Sequence, residues 1–145
     1  NLYFNHFKTR NMKKNLIILF AGFFTMAIFA FTNKTSDQKP WPVPEAAKNK
    51  PNPVKADAAS IADGKSLYTT HCKSCHGTKG KGDGPKASQL DTESGDFTLA
   101  SFQSQTDGAL FYKTAEGRKD MPSFKKKISD ANDIWAVVNY MRTFK

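Results

Sequence analysis

From residue 58 onward apolar side chains recur at helical intervals, and no alternation of period two survives more than a few residues. Ile61, Gly64, Leu67 and Tyr68 fall on one face at i, i+3, i+6 and i+7, with Asp57 or Ser60 placed to cap that helix. Gly77, Gly80, Gly82, Gly84 and Pro85 then break any regular element, which predicts a loop. Thr106 is expected to cap a short helix from Asp107 to about Thr114 that ends near Gly117. Ser129 is expected to cap the last helix, with Asp130 and Asp133 in its first turn complementing the helix dipole. Along that helix Ile134, Val137, Val138 and Met141 form the apolar stripe, flanked by Trp135 and Tyr140. The pattern predicts an all-α domain over residues 58–145.

The first part of the chain follows other rules. Lys8, Arg10, Lys13 and Lys14 precede an apolar run over residues 16–31, and no acidic residue occurs before Asp37. A basic flank followed by an apolar stretch reads as a secretory signal peptide or a retained N-terminal membrane anchor. The positive flank stays on the cytoplasmic side, which sends the rest of the chain across the membrane. Met12-Lys13-Lys14 resembles a natural start, so residues 1–11 are read as an upstream extension. Residues 32–57 contain Pro40, Pro42, Pro44, Pro51 and Pro53 and few apolar groups, and are expected to form a stiff linker or strap.

Composition sharpens the picture. Hydrophobic residues make up 39% of the 145, which excludes a wholly disordered chain. Seven of the twelve Phe lie before residue 32, so the helical stretch is left with five. A domain that small buries only about 60% of its unfolded surface, so it needs an additional stabiliser. Two cysteines exclude a disulfide-rich scaffold.

Those cysteines stand in Cys72-Lys73-Ser74-Cys75-His76, the C-x-x-C-H pattern of c-type haem attachment. Two thiols three residues apart on one helical turn can each form a thioether to a haem vinyl group, and the adjoining His then lies under the iron. A disulfide, a thioredoxin-like dithiol and a zinc site are the other chemistries open to these residues. The dithiol would need a βαβ frame, absent from the pattern. Zinc would need four ligands, and only His71, Cys72, Cys75 and His76 are at hand, within a few residues of one another. For a second axial ligand the candidates are His71, Met121 and Met141. His71 adjoins the first Cys and cannot reach the opposite face of the macrocycle, and Met141 sits on an apolar stripe. Met121 remains, in a loop where Pro122 favours extended backbone.

On these residues the stretch 58–145 resembles the class I mono-haem c-type cytochromes of the short bacterial kind. Gly64 and Tyr68 match the small and aromatic positions of that family's N-terminal helix, and Val137 and Tyr140 match the positions that cross against them. Pro85 is placed like the family proline whose carbonyl accepts the axial His N–H. The resemblance implies three to four helices wrapped around one covalently attached haem c, with Cys72 and Cys75 as thioether residues and His76 and Met121 as axial iron ligands. It implies no enzyme: with both axial positions filled, one-electron transfer is the expected activity. The Pro-rich lead and the run Lys125-Lys126-Lys127 depart from the family pattern.

Charge suggests the partner. The chain carries 22 Lys and Arg against 13 Asp and Glu. Lys73, Lys79, Lys81 and Lys86 cluster in sequence near the attachment motif, and Arg118, Lys119 and Lys125–Lys127 near Met121, as a collar that would steer acidic redox proteins. Nucleic acid is not expected as a partner. The expected setting is the periplasmic side of a bacterial inner membrane, either soluble or attached through residues 16–31. The expected role is a respiratory-chain carrier between a quinol-oxidising complex and a terminal oxidase or reductase. The alternatives are a fixed haem subunit of a membrane complex and a haem enzyme with a labile Met121.

Overall fold

The structure is a computed structural model that describes residues 40–145; the targeting segment at 1–31, its extension at 1–11 and the opening of the Pro-rich stretch lie outside the described residues. One compact unit runs from Trp41 to Lys145. Its helices are α1 (Glu45–Lys48), α2 (Ala58–His71), α3 (Lys73–His76), α4 (Ala100–Gln103), α5 (Asp107–Glu116) and α6 (Ala131–Met141), with a 3-10 turn at Ala87–Gln89. Among the described residues there is no strand, only an isolated bridge between Arg118 and Met121. The all-α expectation holds, with three principal helices and three short ones.

The caps explain the helix limits. Asp57 and Ser60 both serve α2, as a reciprocal pair: the Asp57 carboxylate accepts the Ser60 N–H at 3.0 Å, and Ser60 Oγ accepts the Asp57 N–H at 3.3 Å. Thr106 caps α5, which runs to Glu116 before Gly117 turns the chain at φ +69°. The last helix differs from expectation. Its cap is Asp130, whose carboxylate accepts the Asn132 N–H at 2.8 Å, so α6 starts at Ala131 and Ser129 stays outside. Both residue types cap well, and it is the backbone path after Ile128 that brings the Asp130 carboxylate to the helix start.

Helix α2 crosses α6 at Gly64, where the backbones meet: a Cβ on Gly64 would lie 2.0 Å from the Ala136 carbonyl oxygen. Tyr68 drops into that crossing, buried, with its ring 5.3 Å from those of Tyr140 and Phe144. Ile134, Val137, Val138 and Met141 are buried as the stripe predicts. Trp135, beside the stripe, is itself part of the core, stacked on Phe111 at 4.1 Å. The apolar core falls into two clusters. One gathers Tyr68, Cys72, Phe97, Leu110, Trp135, Val137, Val138, Met141 and Phe144; the other gathers Ala115, Phe124, Ile128 and Ile134, and Phe111 packs against both.

Of the linker or strap expected ahead of the domain, residues 41–57 fall in the same compact unit as the helices. Residues 41–57 are not a free linker: α1 packs on α5, where Gly108 comes so close to the Ala47, Lys48 and Lys50 carbonyls that a Cβ would meet them within 3 Å. The Thr106 hydroxyl donates to the Lys48 carbonyl at 2.8 Å. Asn139, buried in α6, accepts from Asn52 at 2.8 Å and donates to the Val54 carbonyl at 3.1 Å. A polar side chain on the buried side of α6 satisfies itself with the strap's backbone, and this is what binds a proline-rich segment with few apolar groups of its own.

Candidate functional site

The C-x-x-C-H residues occupy one continuous bend. Cys72 ends α2, and α3 begins at the next residue and carries Cys75 and His76. Cys75 N–H and His76 N–H both donate to the Cys72 carbonyl, at 3.1 and 3.0 Å, so the two thiols and the imidazole share a single turn. The loop 82–86 is zipped onto it: Gly82 N–H donates to the His76 carbonyl, Gly84 N–H to Cys75 and Lys86 N–H to Ser74, at 2.8–3.1 Å. The Tyr68 hydroxyl donates to the Gly77 carbonyl at 2.8 Å and closes the turn from below.

Burial sets the chemistry of the turn. Cys72 is buried, and both cysteines are free thiols. Loss of water pushes the Cys72 thiol up to about 12, with the neighbouring Cys75 adding to the shift. Burial lowers His76 to about 4, partly opposed by the backbone of Ser94, so the imidazole is neutral at pH 7 with a lone pair to give. Its ring lies 4.5 Å from Phe97, and its Nδ1 is buried without a hydrogen-bond partner. Burial also holds the Tyr68 phenol far above its ordinary range, so it stays a donor.

In this structure His76 Nδ1 makes no hydrogen bond, to the Pro85 carbonyl or to any other group. Pro85 is exposed on the outer side of the zipped loop, and Ser94 is the backbone that faces the imidazole. Met121 is on the other side of the sequence and the other part of the core: it packs, half-buried, against the cluster of Ala115, Phe124, Ile128 and Ile134. Cys72 belongs to the first cluster. Met141 is buried core, as expected. His71 leaves the motif sideways, its ring 6.0 Å from Phe124.

Two thiols and a neutral buried imidazole with an unsatisfied nitrogen, gathered on one turn, are a donor set that fits a covalently bound haem. Among the described residues no three His, Cys, Asp or Glu side chains converge to hold a metal ion as zinc would require. The structure also shows neighbours that sequence reasoning missed, Phe97 and Ser94 against His76, because they lie some twenty residues away without a periodic relation to the motif.

The basic collar is only partly open. Lys73, Lys79 and Lys81 line a cleft of about 420 Å³ beside the motif, together with Asp83 and Pro85. Near Met121, Lys125 pairs with Glu116 at 2.6 Å, Lys127 lies over the Phe124 ring, and Arg118 over Trp41. Lys119 and Lys126 are exposed.

Solved structures agree with this architecture. The chain is similar, at 26% identity and a TM-score of 0.59, to a chain of the Kuenenia stuttgartiensis reducing HAO-like protein complex Kustc0457/Kustc0458; the match covers 74% of this chain and 52% of that one. This chain thus spans about half the length of that relative. It is also similar to the KustC0563 c-type cytochrome, at 32% identity and a TM-score of 0.51, over 57% of this chain and 98% of that one. No curated protein matches it. The family model for cytochrome c matches residues 61–145, which take in the motif turn, the Met121 loop and both crossing helices, and the chain belongs to the cytochrome c family.

Proposed function

We propose that the chain is a mono-haem c-type cytochrome and that it moves single electrons, with Cys72 and Cys75 as thioether residues and His76 and Met121 as axial ligands. Haem c, when bound, supplies a one-electron iron couple, which His/Met ligation and burial shift toward positive potential. The rest is done by the chain. Each thiol adds its S–H across one vinyl group, so a sulfur–carbon bond forms and no leaving group is released. His76 offers its lone pair from a dry site, and Met121 offers a soft thioether that favours the ferrous state. The carrying observation is the shared turn of Cys72, Cys75 and His76, with His76 Nδ1 buried and unsatisfied.

The setting in this reading is the periplasmic face of a bacterial inner membrane, between a quinol-oxidising complex and a terminal oxidase or reductase. The second reading, a fixed subunit of a redox complex, is favoured by the likeness to a chain from an HAO-like protein complex.

The test is a haem-loaded preparation from cells that mature c-type cytochromes. Haem that stays on the denatured chain, and a sulfur-to-iron charge-transfer band in the ferric protein, are expected. Met121→Ala is expected to abolish that band and to let the ferrous protein bind carbon monoxide, while the parent protein is expected not to bind it at neutral pH. A band that survives Met121→Ala would overturn the ligand assignment.

The cleft lysines give a second expectation. Reduction by an acidic redox protein slows as salt rises, because the screening length falls from about 30 Å at 10 mM to about 10 Å at 100 mM. Rates that stay level from 10 to roughly 300 mM would remove the steering role.

A further inference from the structure

Residues 41–57 precede the stretch that matches the cytochrome c family, yet they are packed on the domain. The N-terminal end of that strap meets the turn that carries Met121. The Arg118 guanidinium lies 4.6 Å from the centre of the Trp41 ring, and Lys113 Nζ lies 5.7 Å from it. Arg118 is the other half of the bridge to Met121: its N–H donates to the Met121 carbonyl at 2.8 Å, and its carbonyl accepts the Met121 N–H at 3.0 Å. What holds Arg118 therefore holds Met121.

The turn needs holding. Lys119, inside the bridge, has φ +53°, a conformation that a non-glycine residue keeps only when its surroundings impose it. On one side Asp120 accepts the Thr92 N–H and hydroxyl at 2.9 and 2.8 Å, and Ser123 donates to the Ala115 carbonyl at 2.7 Å. Trp41 holds the other side. It is half-buried, and Pro40 and Pro42 on either side of it, with Pro44 two residues on, restrict its backbone. The strap behind it is fastened independently, through Thr106 to Lys48 and Asn139 to Asn52. The indole is thus presented to the cations with little entropy left to lose.

We propose that Trp41 is a positioning residue: through the cation-binding face of its ring it clamps Arg118, and through the Arg118–Met121 bridge it keeps the methionine seated against competing ligands. This rests on the reading of Met121 as an axial ligand. The clamp makes the strap part of the electron-transfer site, since methionine release would both lower the potential and open the iron.

The experiment measures the rate at which the ferric, haem-loaded full chain takes up imidazole, alongside the sulfur-to-iron band. Trp41→Ala is expected to raise that rate about ten-fold, the order expected when the closed state is deprived of its cation–π contacts with Arg118 and Lys113. Trp41→Phe, which keeps a ring, is expected to restore most of the parent rate. Arg118→Gln should also raise the rate, and the two effects should be less than additive in the double variant, because both remove the Trp41–Arg118 contact. Asn52→Ala loosens the strap at Asn139 without touching the clamp; it should lower the melting temperature and leave the uptake rate within about two-fold of the parent. The proposal is overturned if Trp41→Ala leaves the rate within that range, or if Asn52→Ala raises it as much. A parent protein without the sulfur-to-iron band overturns the Met121 reading itself; a band present with the rate unmoved overturns the clamp alone.

Discussion

Replacing Gly64 with alanine is expected to destabilise the haem-loaded domain by about 3 kcal/mol, and replacing it with leucine to prevent folding. A Cβ there would lie 2.0 Å from the Ala136 carbonyl oxygen, 2.5 Å from its carbon and 3.0 Å from Tyr140 Cβ. Two of those atoms are helix backbone and cannot rotate away, so α2 and α6 must separate. Separation unpacks Tyr68 from Tyr140 and Phe144 and exposes part of Val137 and Val138. Alanine is the better helix former by about 1 kcal/mol, which pulls the other way and is outweighed. Guanidinium unfolding of the loaded protein checks the sign. Asp63→Ala, one residue away on the exposed side of α2, should change stability by less than about 0.5 kcal/mol. A Gly64→Ala protein as stable as its parent would mean the helices do not cross there.

Removing both thiols, as Cys72→Ala with Cys75→Ala, is expected to yield a chain that loses all its haem to denaturant and is poorly folded before it is added. The physical reason is the divided core. Cys72, with Tyr68 and Phe97, lies in one cluster, Met121 packs on the other, and Phe111 packs against both. A group bound only through axial ligands stabilises the fold by its mass action, about 2.7 kcal/mol at a hundred times its dissociation constant, and none once it is diluted away. Thioethers make the local concentration permanent. Spectra before and after denaturation, with circular dichroism on the same samples, measure both parts. Haem that remains on the denatured double variant would show that attachment runs through other residues.

Much of the fold was legible along the chain because its signals are local. The Asp57–Ser60 cap, the Thr106 cap and the Gly117 stop act within a few residues, and the stripe of Ile134, Val137, Val138 and Met141 needs only the helical period to be seen. The exception among the caps is instructive. Ser129 and Asp130 adjoin and both can cap; only the backbone path after Ile128 decides that the carboxylate reaches the helix start. Trp135 looked like a flank of the stripe, and the stack on Phe111 makes it core. Burial on a helix of the interior is settled by what covers it from other elements.

The linker shows the same limit more sharply. Composition says that 41–57 has few apolar groups to pack, and of these Val54 reaches the main core cluster. The rest of the segment's attachment is polar and backbone-mediated, through Asn139, Asn52 and Thr106, with Gly108 allowing the approach. Such pairs leave no periodic mark in either partner.

For the site, five residues, Cys72 to His76, point to haem attachment by themselves, because the spacing that serves one helical turn is written in consecutive residues. Met121 could be chosen by eliminating its rivals along the chain. The tertiary structure decided the rest: that His76 lies against Phe97 and the Ser94 backbone, that three of the five cations near Met121 are already engaged, and that Trp41 lies against Arg118 in the turn carrying the methionine. Chemistry confined to one turn is readable in one dimension. Orientation, burial and the company a charge keeps depend on segments tens of residues apart, and only the folded chain brings those together.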